Sequence, residues 1–305
     1  MRGEHAVPAL DAAALIDAVP GLDRYAPIAA ESVRQLPGPQ MGLSDALAVA
    51  QAAVAAAGRG EGVVVTHGTD TLEETAFLTD LLYDGDAPIV FTGAIRPASA
   101  TGADGPANLL DAVALAASPR ADGLGVLVVF AGEIHAARFA RKVESTSPRA
   151  FGSPGAGAVG RVDEGNVQID ARPMRPATIP AQRLEGRVPI ATCALGEGPE
   201  TVRALAAGAD GLVVALFGAG HVQPEVLAAL EEIAASIPVV ATVRPERGRV
   251  LRATYGFPGS ERDVRAGRLV VAGALSAPAA RMKLLACLGA GYDGDAIRAA
   301  FAEDD

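Results

Sequence analysis

The sequence predicts a parallel α/β fold in two domains, a larger first one and a smaller second one. Short apolar runs of strand type alternate with Ala-rich stretches of helical type, and the runs are continuously apolar, the mark of strands buried on both faces. A Pro- and Arg-rich stretch, 161–187, carries only short β-like pieces and separates two such sets. Its second half, 179–187, reads as a linker between a domain of residues 1–178 and one of 188–305.

In order, the first set runs "GVVVTHG" then "TLEETAFLTDLLYDG", "PIVFTG" then "PANLLDAVALAAS", and "GVLVVF". The second set is "PIATCAL", "GLVVALFG", "PEVLAALEEIAAS" and "PVVATV". No internal repeat interrupts this order. With 305 residues, 50% hydrophobic and 20% charged, the chain can bury a large core and is not disordered. A net charge of −10 argues against nucleic acid or an anionic membrane as partner, because both attract basic patches. Cys193 and Cys287 lie far apart without C-x-x-C spacing, which fits a reducing compartment. No apolar run reaches about 18 residues, and "MRGEHAVPAL" has no signal-type apolar core. A cytoplasmic protein is expected.

In open α/β sheets the ligand crevice lies beyond the carboxyl ends of the strands, where helix N-termini present unpaired N–H groups. Thr66 to Thr71 falls there. Thr71 and Glu74 have capping-box spacing, which accounts for one threonine by structure alone. Thr69 and Asp70 are left over; Asp70 is either an extra cap favoured by the helix dipole or a group facing a ligand. A second crevice turn spans 91–110, where Gly93 allows close backbone approach and Pro106 suits a first helical turn. Asp104 is read there as the cap of the following helix.

Lysine usage is a further signal. Of 26 basic residues only Lys142 and Lys283 are lysine. Arginine stays protonated, whereas a lysine can give up its proton, so a proton-relaying site would need one. Lys142, in "ARFARKVESTSPRAF", is such a candidate; the alternative is an ordinary surface lysine. "GAGAVG" matches G-x-G-x-x-G but joins no strand to a helix, so dinucleotide binding is discarded. His5, His67, His135 and His221 lack metal-ligand spacing, and neither metal nor cofactor is expected. His67 reads as a hydrogen-bonded turn residue, His135 as solvated, and His221 as a crevice-side group.

"VVVTHGTDTLEETAF", "TGAIRP", "ADGPANL", "RFARK" and "AGALSAPAARMKLL" follow one another as in the bacterial L-asparaginase (asparaginase/glutaminase) family, and the chain resembles it over most of its length. The resemblance implies a larger doubly wound, flavodoxin-like N-terminal domain and a smaller parallel α/β C-terminal domain. It also implies homotetramers built from dimers, with active sites shared between subunits. Residue by residue, it makes Thr69, Asp70 and Lys142 the cluster that handles protons and attack on the amide, in keeping with a hydroxyl that needs a base beside it. Asp70 would also hold the substrate's α-ammonium, with Glu261 reaching it from an adjacent subunit. The main chain at Ala94 would face the oxyanion, and Gly38, Pro39 and Gln40 would wall the substrate carboxylate.

Three departures accompany the resemblance. The family's first strand ends in a T-G-G-T-[IL]-[AS] motif whose second threonine is the principal nucleophile, and this sequence opens after its place. An interior strand cannot be lost cheaply, since each orphaned buried backbone group costs about 1–3 kcal/mol. The expectation is therefore that Met1 is an internal methionine and that the natural product continues upstream. His5 stands where the family has its lid tyrosine, on an ungapped count. His221 replaces the usual Asn of a G-x-G-N turn, and the usual Ser of the substrate wall is near Gly38. The implied activity is hydrolysis of L-asparagine to L-aspartate and ammonia through an acyl-threonine, without cofactor. Alternatives are a glutaminase, the ammonia-releasing subunit of an amidotransferase, or a non-catalytic amino-acid-binding relative.

Overall fold

The computed structural model describes residues 12–25 and 27–305. The chain divides into two compact units, 1–178 and 179–305. The stretch 179–187, expected as a linker, belongs to the second unit and buries Ile179, Ala181 and Leu184.

The first unit contains α1 (Ala12–Asp17), α2 (Leu43–Ala57), β1 (Val63–Thr66), α3 (Leu72–Leu82), β2 (Ile89–Thr92), α4 (Gly105–Ala116), β3 (Val126–Phe130) and β4 (Glu133–Ala136). Four short strands follow: β5 (Arg141–Lys142), β6 (Phe151–Gly152), β7 (Gly160–Asp163) and β8 (Asn166–Ile169). The main sheet has the order β1-β2-β3-β4-β7-β8. Side chains alternate across it as the pleat requires. Ile89, Phe91, Val126 and Val128 join Val49 and Ala53 of α2 and Leu72 and Ala76 of α3 on one face. Val90, Leu127 and Val129 join Ala112 and Leu115 of α4 on the other. Helices thus cover both faces, which explains why β2 and β3 are buried at every position.

Only part of this sheet is parallel. β1, β2 and β3, the runs read from sequence as parallel strands, do pair in parallel, whereas β3–β4, β4–β7 and β7–β8, formed by segments outside those runs, are antiparallel. Two of these three reversals, β3–β4 and β7–β8, are made by two-residue turns with left-handed backbone at both positions, Ala131 (φ 48°) with Gly132 (φ 79°) and Glu164 (φ 53°) with Gly165 (φ 77°). Such turns match strand twist but usually announce themselves as Asn-Gly or Asp-Gly. β1 is less buried than its continuous apolarity implies. Among the described residues it pairs with β2 alone, and Val63, Val64 and Val65 are only half-buried.

The second unit contains β9 (Ile190–Thr192), α5 (Pro199–Ala206), β10 (Leu212–Leu216), α6 (Pro224–Ala234), β11 (Val239–Val243), α7 (Glu261–Ala266), β12 (Val270–Val271), α8 (Ala277–Gly289) and α9 (Gly294–Ala302). Its sheet, β12-β11-β10-β9, is parallel throughout. Leu212, Val214, Leu216, Val239 and Ala241 pack with Val202 of α5 and Val226 and Leu230 of α6. On α8, Lys283 is fully buried, and its ammonium donates to Asp304 at 2.7 Å. That pairing absorbs one of the two lysines into structure. No helix among the described residues is long and apolar enough to cross a membrane.

Candidate active site

The carboxyl ends of β1 and β2 lie side by side, with Thr66 opposite Thr92 and the His67 N–H donating to Thr92 O at 2.9 Å. The turns that follow therefore open on the same edge of the sheet. Gly93 is required there, because a Cβ on it would stand 2.4 Å from His67 O. The first turn leads into α3 and carries Thr69 and Asp70. The second carries Ala94, which is exposed.

Lys142 meets the first turn from β5. Its ammonium donates to Thr69 Oγ1 at 3.0 Å and to Asp70 Oδ1 at 2.8 Å. Residues more than 70 positions apart thus supply a hydroxyl, a carboxylate and an amine within one hydrogen-bonded group. Asp70 is more than half exposed and Lys142 about one-fifth, so solvent and a small ligand can reach the group. The Lys142 main chain is also held, its N–H donating to Glu73 Oε2 at 2.6 Å. Burial pushes the Glu73 carboxyl up, while that N–H and the charges of Arg141 and Lys142 act against the shift.

Thr71 occupies the N-cap of α3, but its hydroxyl makes no cap bond and donates instead to Gly38 O at 3.3 Å. The capping-box reading is corrected accordingly: the threonine ties a neighbouring turn to the helix start. Gly38, Pro39 and Gln40 form that turn, a short 3₁₀ segment. Gly38 is buried, and a Cβ on it would meet Asp70 Cβ at an ordinary contact distance of 3.5 Å, so this turn lies beside Asp70.

Asp104 does not cap α4 with its side chain either. It accepts the N–H of Ile95 at 3.1 Å and of Arg96 at 2.8 Å, and also bonds Asn108 Nδ2 at 3.2 Å. Asn108 donates in addition to Gly93 O at 2.9 Å and accepts Ala131 N–H at 3.0 Å. Asp104 and Asn108 together fix the Gly93–Arg96 turn from both ends. Asn108 and Glu73 carried no sequence signal, since their partners lie far along the chain or in its backbone.

The histidines separate by environment. His5 lies outside the described residues. His67 pairs Nδ1 with Gly68 O at 2.8 Å, and burial lowers its pKa. His135, expected as solvated, is 1% exposed and shares a hydrogen bond of 3.1 Å with Ser153 Oγ, because β4 carries it into the sheet. Burial holds its pKa down, with Glu133 opposing.

In the second unit His221 and Glu261 form their own cluster, Nε2 standing 3.3 Å from Oε2. Glu261 is fully buried at the start of α7 and accepts the N–H groups of Thr254 at 2.6 Å and Tyr255 at 2.7 Å. Burial opposes its ionisation, but those donors and His221 prevail and hold the carboxyl below its usual range. Tyr255 and Phe257 meet the His221 ring edge-on at 4.7 and 4.9 Å.

Comparison with known proteins follows the same division. Residues 1–175 match the family of asparaginase N-terminal domains, and residues 187–301 match that of glutaminase/asparaginase C-terminal domains. A probable L-asparaginase of Deinococcus radiodurans is 37% identical over 290 residues, covering 94% of this chain and 88% of the relative. A glutaminase-asparaginase of Pseudomonas fluorescens biotype A is 36% identical over 72% of this chain and 63% of its own length. The crystal structure of a probable cytoplasmic L-asparaginase from Campylobacter jejuni superposes with a TM-score of 0.86 at 31% identity, covering 96% of this chain and 94% of that one. With both domain families matched in order along its length, the chain belongs to the asparaginase family.

Proposed function

We propose that the protein is an asparaginase, hydrolysing L-asparagine to L-aspartate and ammonia at the cluster of Thr69, Asp70 and Lys142. The observation that carries this reading is the convergence of the three side chains, with Lys142 Nζ 3.0 Å from the Thr69 hydroxyl and 2.8 Å from Asp70. A threonine oxygen adds to the carboxamide carbon and its proton passes through the amine–carboxylate pair to the departing nitrogen. Ammonia leaves, an acyl-threonine ester remains, and water cleaves it to aspartate with return of the proton. Thr69 is the hydroxyl this chain presents for that chemistry. The main chain at Ala94 takes the oxyanion role, and Asp70 receives the α-ammonium.

Glutamine is the second substrate to consider, favoured by the glutaminase-asparaginase among the relatives. In this reading Glu261 and His221 act on the ammonium end of a substrate held by another copy, so the working form is a homo-oligomer. Ammonia and aspartate release from L-asparagine, with L-glutamine and D-asparagine in parallel, tests the function. The assay is run on the 305-residue chain. Turnover of asparagine supports the proposal; binding without turnover makes the protein an amino-acid-binding relative.

A further inference from the structure

Lys142 is rooted in a weak piece of structure. Among the described residues β5 is two residues long and pairs with the two residues of β6, a ribbon extended by the Val143 N–H donating to Ala150 O at 2.7 Å. Isolated two-stranded ribbons are marginal, and lysine has a flexible four-carbon stem. Such a root cannot by itself hold an ammonium nitrogen within hydrogen-bonding distance of two chosen atoms. What holds the root is Glu73, whose Oε2 accepts the Lys142 N–H at 2.6 Å across 69 positions of sequence.

Glu73 stands in the first turn of α3, three residues after Asp70. The helix start that presents Thr69 and Asp70 therefore also grips the backbone of the residue that must reach them. Lys142 is attached at both ends: its N–H to Glu73, its Nζ to Thr69 and Asp70. A charged acceptor makes the first of these bonds stronger than a neutral one would.

We infer that Glu73 is a positioning residue of the catalytic cluster, fixing the main chain of Lys142 against the start of α3 so that its amine is delivered to Thr69 and Asp70. This rests on the proposed asparaginase reading for its catalytic consequence, but the geometric part can be read without turnover. Displacing an amine by about 1 Å from its working place costs about 10- to 100-fold in rate. The substrate's ammonium and carboxylate contacts do not pass through Glu73, so the loss falls on kcat with KM little changed.

Two readouts test it. The chain has only two lysines, so protein carrying ¹³C at lysine Cε and ¹⁵N at Nζ gives two resolvable signals. Lys283, buried against Asp304, serves as the internal reference for an intact fold. Glu73→Ala is expected to move and narrow the Lys142 signal toward that of a solvated lysine while the Lys283 signal stays in place, and to lower kcat for asparagine about 10- to 100-fold. Glu73→Gln, which keeps an acceptor oxygen in the same place, restores most of both. A Lys142 signal unmoved in Glu73→Ala overturns the inference, as does an unmoved kcat or a failure of Gln to rescue either readout. An inactive wild-type chain would defeat the asparaginase reading alone, and the spectra would still decide the role of Glu73.

Discussion

The ammonium of Lys142 lies 2.8 Å from the carboxylate of Asp70, a residue 72 positions earlier in the chain. One partner sits in the turn between β1 and α3, the other on a two-residue strand beyond the core of the sheet. Their meeting, with Thr69 as third member, is the geometry on which the proposed amide chemistry rests.

Lys142→Arg should keep the charge and the fold but lose the removable proton. Turnover of asparagine is expected to fall by about 10²- to 10⁴-fold, the usual worth of a proton-transferring side chain. Thermal melting should match wild type. A near-normal rate would make Lys142 a bystander.

Gly93→Ala places a methyl group 2.4 Å from His67 O, in backbone that cannot retreat without parting β1 from β2. A destabilisation of about 1–3 kcal/mol follows from such overpacking. Urea unfolding measures it, and asparagine turnover should fall with it because both crevice turns move.

Asp104→Ala removes the acceptor for the N–H groups of Ile95 and Arg96. The expected cost is about 1–3 kcal/mol, since a half-buried donor is left unmet. Asp104→Asn, keeping one carbonyl oxygen, should recover part of this in the same urea titration.

Asp80 provides a pH test in the core of the first unit. Its carboxyl accepts Val126 N–H at 3.1 Å, and burial raises its pKa to about 6. The folded state therefore binds a proton more readily than the unfolded state, whose value is near 3.8. Stability is fullest below that value and declines as pH rises from about 4 to about 6, by at most about 3 kcal/mol, then levels off. Asp80→Asn should remove this contribution, so that the difference between variant and wild type in unfolding free energy grows with pH across that window. A pH-independent difference would contradict the assignment.

From residue chemistry alone the members of the cluster are separate candidates with structural alternatives, and it is the family resemblance that groups them. Thr69 and Asp70 stood out once a cap had claimed Thr71, even though Thr71 turned out to bond Gly38 instead. Lys142 stood out because lysine is scarce. Glu73 could not be told from Glu74, since its significance comes from a backbone N–H 69 positions away. Asp104 was noticed but misread, because a carboxylate before a helix looks like a cap whichever way it points. The parallel strands were legible from their unbroken apolarity. The antiparallel half of the first sheet was not, as Ala-Gly and Glu-Gly reach a left-handed turn without the asparagine or aspartate that signals one.

Ammonia release from L-asparagine by the protein, compared with its Thr69→Val variant, tests the central claim most directly. Valine keeps the shape of the side chain and deletes only the hydroxyl that Lys142 holds at 3.0 Å. The predicted result is a loss of turnover of about 10²-fold or more with unchanged melting. Undiminished ammonia release by that variant would contradict the account.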